Sequence, residues 1–321
     1  MNPTTQIAKV ESSSHWYIAT DKVEPFHSVP YAGKRGKNGE TRSTTLRDAR
    51  KVNALPSVTN VLSILHKEFL VAYKVNQAIL ACLTLPKIEG ETADAFAHRV
   101  FADSKEHAAS AARLGTRLHE VGAEFLLGKA QGGIQKGERI ESRDLHEVSL
   151  PLRHLIADII PAGMFTAPEF SEFCIANQEI GYGGACDGFV FLDTKKAFVA
   201  EKLESAGYGH LVTGKPLVAM VDIKSRGADS KTPPIYETDT LQLSAYLHAV
   251  PTTPKLGFQM DPNNTPVANI LINTHHDAGH DGRWSSDLVI HHRDDIAKAW
   301  TAFKHAHALW CWVKNYNPSA A

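Results

Sequence analysis

Residues Leu217–Arg226 read LVAMVDIKSR, and this stretch decides the fold. It opens as an apolar, β-branched run and closes on a carboxylate and an ammonium two residues apart. Side chains of a strand alternate between faces, so Asp222 and Lys224 project to one side and Val221 and Ile223 to the other. Such a run belongs in the middle of a sheet, where charged groups are costly unless they are used. Alone, an acid and a lysine in this spacing read as a solvated strand end. Their partners have to come from the flanking chain.

Downstream lies a Pro-rich loop to Thr238, then a helix over Thr240–Ala249 that contains LQLSAY. Gln242 and Tyr246 are four apart and share one face of it. Strands are expected at Val267–Asn273 and Asp287–His291. A final amphipathic helix covers Asp294–Asn315 and carries Ile296, Trp300, Phe303, His307 and Trp310. Upstream, Ser171–Gln178 and Gly183–Asp193 read as antiparallel strands joined by a Gly-Tyr-Gly-Gly turn. The second of them contains GGACDG, with Asp187 beside glycine.

Earlier in the chain, Thr92–Leu127 is alanine-rich and predicts one or two helices, with GTRLHE at Gly115–Glu120. Gly115 and His119 share a helical face, which leaves room beside the imidazole. Leu55–Leu83 has a helical stripe of Val58, Val61, Leu62, Leu65, Phe69, Leu70 and Tyr73, capped by Ser57 or Thr59 and ended by Pro86. A short helix is expected near Asp144–Ile160. Residues 1–54 are polar, with strand-like pieces at His15–Ala19 and Pro25–Tyr31. The basic segment Lys34–Lys51 follows, with Lys34, Arg35, Lys37, Arg42, Arg47, Arg50 and Lys51 against Glu40 and Asp48. It reads as a solvated loop or as a phosphate-contacting arm.

Three regions result: a β and basic segment over 1–54, a helical region over 55–165, and a core over 166–321 that forms one compact unit with the helical region. The order of elements predicts an α/β fold, a mixed sheet flanked by helices with an α-helical N-terminal part. A hydrophobic content of 43% with 21% charged residues is that of an ordinary globular protein. No apolar run is long enough to span a bilayer, and the first residues lack the apolar core of a secretory signal, so no membrane partner and a cytoplasmic location are expected. A net charge of −1 gives no global attraction to nucleic acid, so basic groups would have to act locally. Cys82, Cys174, Cys186 and Cys311 are scattered and form no C-x-x-C pair, which argues against a zinc ribbon and a disulfide framework.

The acidic and basic groups on these elements suit one chemistry. Asp187 and Asp222, on neighbouring strands, can share a cation, and His119 can add an imidazole; hard oxygens with one imidazole favour Mg2+ or Mn2+. Each feature alone has an ordinary structural reading. A second cluster, His275, His276 and His280 with Asp277 and Asp281, reads as a solvated turn against the alternative of an unrelated metal hydrolase.

Taken in order, the four motifs Gly115/His119, Gly184/Asp187, Asp222/Lys224 and Gln242/Tyr246 resemble the RecB-like branch of the PD-(D/E)xK nuclease superfamily. TLRDARKVNALPSVTNVLSIL at Thr45–Leu65 is also similar to the N-terminal segment of phage-type exonucleases and, more distantly, of the mitochondrial genome-maintenance exonuclease. The resemblance spans about residues 45–250. It implies a restriction-endonuclease-like core and a metal-dependent DNA exonuclease, with a DNA-binding protein or a structure-specific endonuclease of the same fold as alternatives. His119, Asp187, Asp222 and the Ile223 carbonyl would bind one or two Mg2+ or Mn2+ ions. Lys224 would be the catalytic lysine, supported by Gln242 and Tyr246. The family often has a glutamate on its first strand, for which Glu172 is the better match and Glu179 the other. Arg117, Arg226 and the basic residues Arg42, Arg47, Arg50 and Lys51 would contact DNA. The implied partners are DNA that is single-stranded or has a free end, and an annealing, single-strand-binding or helicase protein. A phage-encoded copy would work in the bacterial host cytoplasm, in recombination, repair or DNA degradation. Two departures stand out. Lys195–Lys215 is inserted between the two acidic strands and is expected to project as a hairpin. The four-cysteine pattern of the iron–sulfur relatives is missing, so no iron–sulfur cluster is expected.

Overall fold

The computed structural model describes residues 15–31, 40–65, 68–126, 159–160, 163–165, 171–227, 234–254, 256, 260–274 and 286–320. For 68–70, 107–108, 111–112, 119–126, 165 and 171–172 the backbone alone is described. Most of the helix expected near Asp144–Ile160, the residues Lys34, Arg35 and Lys37, and the loop of His275, His276 and His280 lie outside the described residues.

The chain starts with β1 (Trp16–Ala19), β2 (Val23–Pro25), β3 (Ser28–Pro30), β4 (Thr41–Ser43), α1 (Leu46–Lys51), β5 (Leu55–Pro56) and α2 (Val58–Val61). Two long helices follow, α3 (Glu68–Thr84) and α4 (Ala93–Leu126). Next come β6 (Met164–Phe165), β7 (Ser171–Asn177), β8 (Tyr182–Asp193), α5 (Ala197–Ser205), β9 (Pro216–Arg226), α6 (Glu237–Ala249), β10 (Val267–Asn273), β11 (Ser286–Ile290) and α7 (Arg293–Lys314).

Among the described residues the main sheet has the order β11-β10-β9-β8-β6, with β7 also paired to β8. β9 and β10 are parallel and joined through α6; the other pairings are antiparallel, so the α/β sheet is mixed. Every residue of β10, VANILIN, is buried, as a strand covered on both faces requires. One face packs Met220 and Tyr182 of the sheet against Leu243 of α6 and Phe303 and Trp310 of α7. The other carries Val221, Ile223 and Ile270, beneath Leu118 of α4 and Val199 and Leu203 of α5. β1 pairs with β2 and β5 in a small second sheet, and the buried Trp16 meets Trp310 edge-on at 6.1 Å.

Two expectations change. Lys195–Lys215 is no projecting hairpin: α5 lies on the sheet with Val199 and Leu203 fully buried, and Tyr208 just beyond it is buried too. The spacing Val199–Leu203 places both on one helical face, a stripe hidden in a segment whose overall composition is polar. The single helix expected over Leu55–Leu83 is broken. Leu55–Pro56 pairs with β1, Ser57 caps α2 by accepting from the Asn60 amide at 3.0 Å, and Leu65 turns extended. Val58, Val61 and Leu62 enter the main core, whereas on α3 Val71, Val75, Ile79, Leu80 and Leu83 are exposed.

Candidate active site

The alternation of β9 delivers Asp222, Lys224 and Arg226 to the face covered by α6. Helix α6 answers with Asp239, Gln242 and Tyr246, spaced three and four apart on one side. Lys224 Nζ donates to Asp222 Oδ2 at 2.9 Å and to Gln242 Oε1 at 3.0 Å. Gln242 Nε2 donates to Tyr246 Oη at 2.8 Å. Arg226 Nη2 pairs with Asp239 Oδ2, and its guanidinium lies 4.2 Å from the centre of the Tyr236 ring. Strand and helix run in opposite directions, so each step along β9 meets the preceding turn of α6.

The second carboxylate arrives through a fork in the sheet. β8 and β9 pair from Asp193↔Pro216 to Gly188↔Val221, and there the ladder ends. Gly188 has φ +152°, a conformation that L side chains rarely adopt. Cys186 and Phe189 consequently both enter the core on the α6 side, although strict alternation would separate them. Beyond the fork, Asp187 Oδ2 accepts from the Ile223 amide at 2.7 Å, so a side chain replaces the missing backbone acceptor. Asp187 is thus drawn to β9, next to Asp222.

Burial alone would lower the pKa of Lys224, but Asp222, and beyond it Asp187 and Asp239, hold the ammonium above its ordinary value. Burial, followed by the charge of Asp222, pushes Tyr246 far above the ordinary phenol range. Both groups are therefore protonated at neutral pH: Lys224 is a cation and Tyr246 a neutral hydrogen-bonding group.

The motif glycines have steric reasons. A Cβ on Gly184 would lie 2.5 Å from Cε1 of Tyr246, and one on Gly115 would lie 2.7 Å from Ser225 Oγ. Gly115 therefore brings α4 against β9 on the face opposite α6, and Leu118 is buried there beside Val221 and Ile223. His119 follows Gly115 by one turn; its side chain is outside the described residues. Arg117 sits on the same helix, half-buried. Glu172 falls between the pairs Ser171↔Gly188 and Phe173↔Cys186, level with Asp187, but its side chain is also outside the description. Glu179 is exposed in the β7–β8 turn, at the other end of that hairpin.

The basic residues of the N-terminal segment are not brought to this site by any of these contacts. Arg42 forms a two-pronged pair with Asp48 at 2.7 and 3.0 Å, which caps α1 together with Thr45. Arg50 donates to the Lys314 and Asn315 carbonyls at the end of α7. Arg47 and Lys51 are exposed. Residues that sequence reasoning missed are Asp239, Asn269 and His291. Asn269 of β10 stands opposite Asp222 in the parallel register and donates to its Oδ2 at 2.9 Å. Only this long-range pairing reveals it, since VANILIN reads as a plain core strand.

No cluster of three or more His, Cys, Asp or Glu side chains suited to a metal occurs among the described residues. Two carboxylates converging at the fork, with the backbone of Ile223 between them, form a hard-oxygen donor set that fits Mg2+ or Mn2+ in chemistry. No helix of the described residues is long and apolar enough to cross a membrane. No protein-family model matches the chain, and no curated protein matches its sequence.

Proposed function

We propose that the chain is a metal-dependent DNA exonuclease with a restriction-endonuclease-like core, hydrolysing phosphodiesters from a free DNA end. The observation that carries this reading is the convergence of Asp187 and Asp222 on Lys224 at the fork between β8 and β9. Asp187, Asp222 and the Ile223 carbonyl, with His119 from α4, would hold one or two Mg2+ or Mn2+ ions. When bound, the cation polarises the scissile phosphate and lowers the pKa of water.

The chain's own residues do the rest. Lys224 stays cationic and offsets the charge that builds on phosphorus oxygens in the transition state. The Gln242 carbonyl oxygen accepts from its ammonium, and Gln242 is itself held by Tyr246, so the charge is fixed before substrate arrives. Two neutral groups do this without competing for the cation. Arg226 is committed to Asp239 and stiffens the rim; Arg117, Arg47 and Lys51 are the candidates for phosphate contact. A protein that anneals, coats or unwinds DNA would supply the single-stranded end.

The test is digestion of end-labelled linear DNA and covalently closed single-stranded circles with Mg2+ or Mn2+. Linear DNA should be degraded and circles spared, with Asp222→Ala and Lys224→Ala inactive but folded. Cutting of circles at an equal rate would refute exonuclease action. Mg2+-dependent degradation by Asp222→Ala at the normal rate would refute the site.

A further inference from the structure

A chain of polar groups stands behind Asp222 and leads through β10 to the start of α6. Asn269 is fully buried, and its single Nδ2 reaches Asp222 twice, at 3.1 Å to the backbone carbonyl and 2.9 Å to Oδ2. Its Oδ1 lies 2.7 Å from Nε2 of His291, which is also buried. His291 Nδ1 in turn lies 3.3 Å from Oγ1 of Thr240 on α6. Three elements thus meet behind one carboxylate: β10, the residue following β11, and the first turn of α6.

The chemistry of these contacts fixes their direction. Turning the Asn269 amide over would set its oxygen against a carbonyl and a carboxylate, two acceptors, so the amide nitrogen must face Asp222. Asn269 Oδ1 can then only accept, and His291 Nε2 must carry a proton. The Thr240 hydroxyl completes the chain by donating to Nδ1, which fixes one imidazole tautomer. A core position needing only bulk would take apolar residues. This one holds an amide and an imidazole whose hydrogen bonds end on an acid at the fork.

We propose that Asn269 and His291 are positioning residues: the relay Thr240–His291–Asn269–Asp222 holds the Asp222 carboxylate in the orientation from which it binds a divalent cation. The inference rests on the reading of Asp222 as a cation ligand. Groups that orient a ligand in this way alter metal affinity by about 10- to 100-fold.

The experiment measures Mn2+ binding by the spin-resonance signal of free Mn2+, for the native chain and for Asp222→Ala, Asn269→Leu, His291→Ala and His291→Gln. Asn269→Leu keeps the branched shape and removes the donor; His291→Gln restores an N–H near the Nε2 position. Asn269→Leu and His291→Ala should weaken Mn2+ binding about 10- to 100-fold, and His291→Gln should recover most of the loss. In parallel, nitrogen-15 resonance of the metal-free native protein should show His291 protonated on Nε2, a readout that needs no variant to fold. Native affinity in Asn269→Leu and His291→Ala, beside lost binding in Asp222→Ala, would overturn the relay and leave the proposed site standing. Equal loss in His291→Ala and His291→Gln, or a His291 protonated only on Nδ1, would also overturn it. A native chain that binds no Mn2+ would overturn the relay and the site together.

Discussion

Replacing Gly184 with alanine adds one methyl group where β8 passes under α6. The new Cβ would stand 2.5 Å from Cε1 of Tyr246 and 3.3 Å from Cδ1 and Cζ. Carbon atoms in favourable contact are about 3.5–4.0 Å apart, so the closest pair overlaps by about 1 Å or more. Neither side can yield easily. β8 is bonded to β7 through Ile175↔Gly184, and the Tyr246 ring is buried with its hydroxyl engaged by Gln242. Overpacking of this kind costs about 1–3 kcal/mol. Removing the ring should remove the penalty: in a Tyr246→Leu background, Gly184→Ala should cost less than about 0.5 kcal/mol, a coupling well above the error of distant pairs. Urea unfolding of the four chains measures it. A single Gly184→Ala variant as stable as the native chain, or two strictly additive substitutions, would refute the steric account. Displacing Tyr246 also moves Gln242, and with it the ammonium of Lys224.

Three further outcomes follow from the same contacts. Asp239→Ala should cost about 3 kcal/mol in urea, near the low end for breaking a buried ion pair because the Arg226 side chain keeps 17% exposure; a loss under about 1 kcal/mol would contradict the pairing. Leu203→Ala should cost about 2–5 kcal/mol by thermal unfolding, since Leu203 is fully buried between α5 and the sheet, whereas a negligible loss would make the 195–215 segment dispensable. The Asp48 carboxyl is held far below its usual pKa, chiefly by Arg42, against burial and with Thr45 helping. A group whose folded pKa is depressed stabilises above its unfolded value, about 4, and loses that contribution as the pH falls. The stability gap between the native chain and Asp48→Asn should therefore be constant near neutrality and close in acid; a gap unchanged in acid would contradict this.

Much of the site was legible because it depends on local periodicity. A two-residue repeat puts Asp222 and Lys224 on one face of β9 whatever surrounds it, and a 3.6-residue repeat aligns Gln242 with Tyr246. The strands β7, β8, β9 and β10 and the helices α6 and α7 follow from the same patterns, to within a few residues at their ends. The stripe over Leu55–Leu83 misled for a related reason: periodicity reports which residues are apolar, not which of them the fold buries.

The sequence by itself determined β7 to β10, α6 and α7, and the charged face of LVAMVDIKSR. Only the tertiary structure decided that β8 parts from β9 at Gly188, that Asp187 then bonds to the Ile223 amide, and that Gly184 makes room for Tyr246. It also decided that Asn269, inside an apolar strand, stands beside Asp222. Register and face-to-face packing join residues tens of positions apart, and no backbone periodicity encodes them. They are set by which arrangement buries the apolar faces while leaving each buried charge with a partner.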